Sequence, residues 1–263
     1  MTLVDAHARR VAVVTGVGPG IGRSAALALA REGCDVAVAA RSAGYLDEVV
    51  GELEELGARG LAVPTDTGDV AQCRALVERG VERFGRLDVV VSSAAKGAPN
   101  HTIMHAELDD WEQAWLVNVL GPLELFRTAV PHLAAAGGGA IVAVSALAVR
   151  AINPGQGAYA ATKSALTVAA QTLAREVGVD GIRVNVVVPG FVPGPNTESM
   201  FSRMAERRGT TVEAVQEQMA AEHALRRLPT PDDVADAIVF LASERARSIT
   251  GQTLDVNAGR WFA

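Results

Sequence analysis

The chain of 263 residues carries a net charge of -6, and 49% of its residues are apolar but only 4% aromatic. This length fits one large α/β domain, and the composition predicts buried parallel strands of Ala, Val, Leu and Ile beneath alanine-rich helices. The acidic balance offers no basic surface to a phosphate backbone or an anionic lipid. It therefore argues against nucleic-acid and membrane partners.

The cysteines and the N-terminal residues indicate the compartment. Cys34 and Cys73 stand alone, without a C-x-x-C pair, a zinc pattern or a disulfide framework. Residues 1–10 lack the apolar segment of a signal peptide, and no apolar run is long enough to span a membrane. We therefore expect a soluble, cytoplasmic protein.

A glycine-rich loop near the N-terminus predicts a dinucleotide site. An apolar run at residues 11–15 is typical of a buried strand, and the loop Thr15-Gly16-Val17-Gly18-Pro19-Gly20-Ile21-Gly22 leads from it into an alanine-rich helix. Glycines let the backbone approach a pyrophosphate closely, and the free N–H groups at the helix start favour the anion. The candidate phosphate-binding residues are Gly16, Gly18, Gly20, Ile21 and Gly22.

The residues after the next two predicted strands, 35–40 and 60–64, would meet the adenosine half of a cofactor. Arg41 and Ser42 follow the first of these strands, and Arg41 can pair with a ribose 2′-phosphate that an acidic residue would repel. NADP(H) is therefore favoured, with NAD(H) as the alternative, although a strand-end arginine is commonly just solvated. After the second strand come Asp66 and Thr67, where Asp66 either hydrogen-bonds the adenine or caps the turn.

The rest of the chain alternates strands with helices. Strands are predicted at residues 87–92, 140–144, 182–188 and 250–256, and helices at 46–56, 69–84, 231–241 and 109–133, the last interrupted at Gly121-Pro122. This alternation predicts right-handed crossovers in one parallel sheet and a single α/β domain over residues 1–263. Residues 193–227 are the least regular, with helical patches at 198–207 and 212–223. Their place after a strand end predicts a substrate lid.

Tyr159 and Lys163 stand four positions apart in Gly157-Ala158-Tyr159-Ala160-Ala161-Thr162-Lys163, so they share one face of a predicted helix. A free phenol titrates near pH ~10, and a neighbouring ammonium lowers that pKa toward a range useful for exchanging protons with a carbonyl or alcohol. An isolated Y-x-x-x-K pattern is frequent by chance. Its occurrence together with the glycine loop points to an active site.

Together these motifs resemble those of the short-chain dehydrogenase/reductase family, across nearly the whole chain. The family's T-G-x-x-x-G-x-G matches residues 15–22, its active-site asparagine matches Asn118, its Y-x-x-x-K matches Tyr159 and Lys163, and its P-G turn matches Pro189-Gly190. The resemblance implies a Rossmann-like, doubly wound parallel sheet of about seven strands in the order 3-2-1-4-5-6-7, with helices on both faces. It also implies a homotetramer or dimer built on the helices that hold residues 111–133 and 157–178.

The resemblance also implies roles for the matching residues. Tyr159 would protonate the carbonyl oxygen, or deprotonate the alcohol, while hydride passes to or from the nicotinamide. Lys163 would lower the pKa of Tyr159 and hold the nicotinamide ribose, and Asn118 would hold a water that links Lys163 to solvent. Further cofactor contacts would come from Ala94, Pro189, Gly190 and Val192, the last through its backbone to the carboxamide.

Two positions depart from the family pattern. The serine that usually stands thirteen residues before the tyrosine is Ala146, with Ser145 one residue earlier. Because successive strand residues face opposite sides, either the strand end is bulged and Ser145 reaches the reacting oxygen, or that oxygen loses one donor. The second departure is Ser92-Ser93-Ala94-Ala95 in place of N-N-A-G. We expect this stretch to change the packing around it rather than to abolish function.

The leading hypothesis is an NADP-preferring oxidoreductase acting on a ketone or secondary alcohol, such as a 3-oxoacyl or cyclic ketone substrate. The alternative is a dinucleotide-binding sensor or scaffold whose catalysis is impaired by Ala146. A metal site is not predicted, because His101 and His105 lack a third ligand and form no H-E-x-x-H motif.

Overall fold

A computed structural model of the chain describes residues 9–262, except residues 98 and 100. The strands are β1 (Arg10–Thr15), β2 (Cys34–Ala40), β3 (Gly60–Pro64), β4 (Val89–Ser92), β5 (Gly139–Val144), β6 (Ile182–Pro189) and β7 (Thr253–Val256). The helices are α1 (Ile21–Arg31), α2 (Ala43–Glu55), α3 (Val70–Phe84), α4 (Leu108–Trp115), α5 (Gly121–Ala135), α6 (Gly157–Val177), α7 (Pro195–Arg208), α8 (Val212–Ala221) and α9 (Pro231–Ala242). Within the described ranges, none of these helices is both long and apolar enough to cross a membrane.

The strands form one parallel sheet in the order β3-β2-β1-β4-β5-β6-β7. This confirms the doubly wound order implied by the motifs. The two halves of the chain wind away from the centre in opposite directions, so a crevice opens at the carboxyl ends of β1 and β4. Thr15 and Ser92, the last residues of these two strands, are paired in register at that edge.

The sheet is buried on both faces, because successive residues of a strand point to opposite sides. Ala12 and Val14 of β1 pack in a cluster with residues of α1, α2 and α9. Val11 and Val13 pack on the other face with residues of α3, α5 and α6. The sheet is thus the middle of three layers, with helices on each side. Small and β-branched side chains fill the narrow space between the layers, so the core contains few aromatic residues.

The polypeptide remains helical through Gly121-Pro122, where the sequence predicts an interruption. Helix α4 passes into one π-helical turn, Leu116–Leu120, which leads directly into α5. In an α-helix, the N–H of residue 122 would bond the carbonyl of Asn118, but proline has no N–H. The wider π-helical turn lets the helix continue without this bond. The predicted interruption was therefore wrong, and the turn carries the buried Asn118.

Helices α7 and α8 form a small unit after β6, at the carboxyl edge of the sheet. Phe201, Ala205, Val215 and Met219 make a core of their own, separate from the two main clusters. The two helices extend over residues 195–221, close to the predicted helical patches. Their role as a substrate lid stays a prediction.

Candidate active site

The turn between β1 and α1 is shaped by its glycines. Gly16 has a φ of 71°, and a Cβ there would overlap the backbone nitrogen of Ala94, in the loop after β4. Gly22 is equally confined, because its Cβ would overlap the carbonyl oxygen of Gly16. A Cβ on Gly18 or Gly20 would meet no described atom within 4 Å, and Gly20 has a φ of 132°. No described side chain caps the start of α1, so the N–H groups of its first turn suit a pyrophosphate.

The residues predicted to meet the adenosine lie at the same edge. Arg41 and Ser42 are exposed directly after β2. Asp66 follows β3, and its Oδ1 accepts the N–H of Gly68 at 2.9 Å. The side chain of Asp66 thus caps a turn, one of the two roles that the sequence left open, and it remains exposed. The neighbouring Thr67 is packed so tightly that a Cβ on Gly121 would overlap its carbonyl oxygen.

Asn118 joins the loop after β4 to helix α6. Its Oδ1 accepts the N–H of Lys96 at 2.8 Å, and its Nδ2 donates to the carbonyl of Lys96 at 2.9 Å. The same Nδ2 donates to Thr162 Oγ1 at 3.0 Å, and Thr162 donates to the carbonyl of Tyr159 at 3.0 Å. The fully buried Asn118 side chain therefore fixes the β4 loop against the segment that carries Tyr159.

Tyr159 and Lys163 occupy the first half of α6. Tyr159 is half-buried and packs with Ala146 and Ala160, whereas Lys163 is fully buried and its Nζ donates to the carbonyl of Val144 at 2.8 Å. Burial raises the pKa of Tyr159 to about 12 and lowers the pKa of Lys163 to about 8. The expected lowering of the tyrosine pKa by Lys163 is therefore not seen in the protein alone, because desolvation dominates both groups.

Ser145 faces away from Tyr159. Its hydroxyl donates to the carbonyl of Lys163 at 3.3 Å and lies 3.1 Å from Thr167 Oγ1. The ladder between β5 and β6 is regular up to this point, where the Ser145 N–H donates to the carbonyl of Val187 at 2.8 Å. The bulge that would turn Ser145 toward the reacting oxygen is thus absent at this described strand end. The candidate role of Ser145 as a catalytic donor is corrected accordingly, and Ala146 takes the position beside Tyr159.

The P-G turn ends β6 next to β7. The N–H of Gly190 donates to the carbonyl of Val256 at 2.9 Å, and a Cβ on Gly190 would lie 3.0 Å from Cα of Asn257. Pro189, in register with Val256, is the last residue of the strand. Two residues beyond the turn, the carbonyl of Val192 accepts from Thr197 Oγ1 at 2.9 Å. The carbonyl of Val192, whose backbone is predicted to contact the carboxamide, thus already accepts one side-chain hydrogen bond.

Two residues of the site were not expected from the sequence. Lys96 and Thr162 enter it through their bonds with Asn118. A sequence signal existed for Lys96, because Lys96 and Lys163 are the only lysines in a chain otherwise supplied with arginine. Thr162 carried no comparable signal, since its role is a tertiary contact.

The two histidines considered as metal ligands do not gather further ligands. His105 lies in a short 3₁₀ turn, Ile103–His105, and its Nδ1 is 2.8 Å from Thr102 Oγ1. In the part of the chain that the structure describes, no three His, Cys, Asp or Glu side chains form a cluster that could hold a metal ion.

Comparison with known proteins agrees with this geometry. A family model described as Enoyl-(Acyl carrier protein) reductase matches residues 16–260. The 3-oxoacyl-[acyl-carrier-protein] reductase FabG of Staphylococcus aureus is 34% identical over 254 residues, which cover 95% of this chain and 98% of that protein.

Two solved structures extend the comparison. L-sorbose reductase from Gluconobacter frateurii, complexed with NADPH and L-sorbose, is 34% identical with a TM-score of 0.91, covering 97% of this chain and 98% of that one. Carveol dehydrogenase from Mycobacterium avium, in complex with NAD, is 28% identical with a TM-score of 0.89, covering 95% of this chain and 97% of that one.

An open parallel sheet with a glycine turn after β1, and with a tyrosine and a lysine on the helix after β5, defines a nicotinamide-dependent oxidoreductase. The chain belongs to the short-chain dehydrogenase/reductase family. It is accordingly an enzyme of that class.

Proposed function

We propose that the protein is an NADP(H)-preferring reductase of ketones, such as a 3-oxoacyl or cyclic ketone, with Tyr159 as the general acid. One observation carries the proposal: the backbone of Tyr159 is tied, through Thr162 and Asn118, to the loop that touches the glycine turn, and its half-buried side chain packs against Ala146. Burial holds the pKa of Tyr159 at about 12. The phenol is therefore protonated at neutral pH, which is the form that donates to a carbonyl oxygen.

The residues present fit a dinucleotide. Gly18 and Gly20 leave space for phosphates at the start of α1, and the exposed Arg41 would pair with a 2′-phosphate. Ser42, Asp66 and Thr67 would line the adenosine end, while Ala94, Pro189, Gly190 and Val192 would line the nicotinamide end. When bound, the nicotinamide supplies or accepts the hydride. L-sorbose reductase is complexed with NADPH and carveol dehydrogenase with NAD, so the proposed preference for NADP(H) rests on Arg41.

Proton supply to Tyr159 would pass through Lys163 and Asn118. With its pKa lowered to about 8, Lys163 releases and regains a proton close to neutral pH more readily than an exposed lysine. The carbonyl of Asn118 lacks the N–H of an ordinary helical partner because residue 122 is proline, so it is suited to hold the water that links Lys163 to solvent.

We infer a cytoplasmic enzyme of one domain, in which α7 and α8 close over the substrate, and a homotetramer or dimer built on α4, α5 and α6. The competing sensor or scaffold function draws its support from Ala146, which provides no donor to the reacting oxygen.

Replacing Tyr159 with phenylalanine tests the proposal. We expect Tyr159→Phe to lower kcat by about 10²–10⁴-fold, the usual contribution of a positioned general acid, while NADPH binding persists. Loss of NADPH absorbance with a panel of 3-oxoacyl and cyclic ketones measures turnover, and NADH in the same assay measures the cofactor preference.

The competing functions give different results in this assay. If wild-type protein binds NADPH tightly but reduces none of the ketones, the sensor is favoured. If Tyr159→Phe turns over as fast as wild type, the role of Tyr159 is refuted.

A further inference from the structure

Lys96 presents an exposed cation beside the site. It lies four residues after the last residue of β4 and is the only lysine of the sequence other than the buried Lys163. Among the described residues, no carboxylate lies within ion-pair distance of Lys96, whereas arginines such as Arg74 and Arg86 are paired with acidic side chains. A solvated lysine is the ordinary explanation for such a residue, so its placement decides whether the charge has a role.

The backbone of Lys96 is held more firmly than an exposed loop residue requires. Both of its peptide groups bond the buried side chain of Asn118, at 2.8 and 2.9 Å. The same Asn118 amide donates to Thr162, and Thr162 donates to the Tyr159 carbonyl. The backbone of Lys96 is therefore fixed relative to helix α6. The position of its Cα is thus set while its ammonium remains in solvent.

The cofactor side of the site is equally close along the chain. Ala94, two residues before Lys96, has its backbone against Gly16 in the glycine turn. Lys96 therefore follows directly from the segment that contacts the turn and is tied to the segment that carries Tyr159. A carbonyl compound placed between these two elements would lie within reach of a lysine side chain, whose four-carbon stem is flexible.

We propose that Lys96 is a specificity-determining residue that binds a carboxylate carried by the substrate itself, so that the preferred substrates are anionic keto acids. This inference rests on the proposed ketone reductase function. The ammonium would form a charge-assisted hydrogen bond with the carboxylate and hold the ketone toward Tyr159. The chain carries a net charge of -6, which repels an anionic substrate at long range. A cation close to the site would offset this repulsion where the substrate binds.

A matched pair of substrates tests this role. The acid 4-oxocyclohexanecarboxylate and its uncharged methyl ester share the same ring ketone. We expect wild type to favour the acid in kcat/KM, and Lys96→Gln to remove about ten-fold or more of that preference through the KM of the acid, as expected for a hydrogen bond to a charged group. The kcat/KM for the methyl ester, which carries no carboxylate, should fall by much less than that for the acid, and Lys96→Arg should retain the preference.

A control separates the local effect from a change in net charge. Arg31 is an exposed cation in the last turn of α1, at the opposite edge of the sheet, and Arg31→Gln removes one positive charge there. We expect this variant to keep the preference for the acid. In wild type, but not in Lys96→Gln, the KM of the acid should rise with ionic strength, because salt screens the ion pair.

Several outcomes overturn the proposal. Equal effects of Lys96→Gln on acid and ester would assign Lys96 a structural role, and a weaker affinity for NADPH alone would assign it to the cofactor. An unchanged acid preference would leave it a solvated lysine. The proposed reductase function fails separately, if wild type reduces neither ketone or if Tyr159→Phe reduces both at the wild-type rate.

Discussion

In the proposed reaction, Ala146 would leave the reacting oxygen with one hydrogen-bond donor fewer than the family pattern provides. Its side chain packs with Tyr159, whereas the hydroxyl of Ser145 is bound within α6. We expect Ala146→Ser to raise kcat, because a donor aimed at a developing oxyanion is worth roughly 10²–10³ in rate in other enzymes. Steady-state reduction of the best ketone, at saturating NADPH, measures the gain.

Ser145 provides the matched control at the neighbouring position. Ser145→Ala should leave kcat nearly unchanged, because the lost bonds are to the Lys163 carbonyl and Thr167 rather than to the substrate, and each contributes about 0.5–1.5 kcal/mol to stability. A large loss in Ser145→Ala, combined with no gain in Ala146→Ser, would show that Ser145 turns toward the substrate when the complex forms.

At the scale of elements, the glycine turn joins β1, α1 and the loop after β4. Gly16→Ala should lower Tm by roughly 4–8 °C, because a positive φ and an overlap with the backbone of Ala94 cost about 2 kcal/mol or more. Gly18→Ala has open space around its Cβ, so it should leave Tm nearly unchanged and weaken NADPH binding instead.

Thermal unfolding and NADPH titration of these two variants measure the two effects separately. The comparison is informative because both substitutions are chemically the same. Should Gly18→Ala bind NADPH as tightly as wild type, the phosphates do not approach that part of the turn. If Gly16→Ala keeps the wild-type Tm, the loop after β4 moves away from the new Cβ without loss of stability, and the expected overlap is refuted.

At the scale of the whole molecule, burial of Lys163 couples stability to pH. The pKa of Lys163 is about 8 in the folded protein, against 10.5 for an unperturbed lysine, so above pH 8 the folded state releases a proton that the unfolded chain retains. Unfolding then takes up a proton, and the free energy of unfolding should rise with pH. Between pH 7 and pH 9 the contribution is about 1.3 kcal/mol.

Urea unfolding of cofactor-free wild type and Lys163→Met at pH 7 and pH 9 measures this term. Burial also raises the pKa values of Cys34 and Cys73, to about 11 and about 12, which lowers stability as the pH passes 9. Both proteins share that effect, so the difference between them isolates Lys163. A difference that stays constant with pH would contradict the inferred titration.

The elements were predictable from the sequence because their patterns are local. The apolar runs of β1 and β6, the glycine turn and the alternation with helices each depend on residues near one another in the chain. The continuous helix through Pro122 was not predicted. A proline normally breaks a helix, and the π-helical turn that accommodates it is tied to distant segments by the bonds of Asn118 with Lys96 and Thr162.

The sequence by itself determined the class of protein and, through its resemblance to a known family, the doubly wound sheet, because residue types at fixed spacings identify that family. It also predicted Tyr159, Lys163 and Asn118 as site residues. Only the tertiary structure decided what these side chains touch. The side chain of Asn118 bonds the backbone of Lys96, and the hydroxyl of Ser145 bonds a carbonyl of α6. Desolvation, rather than the charge of Lys163, sets the pKa of Tyr159. Each of these depends on segments far apart in the chain, since hydrogen-bond partners and burial are set only when the layers of the fold pack together.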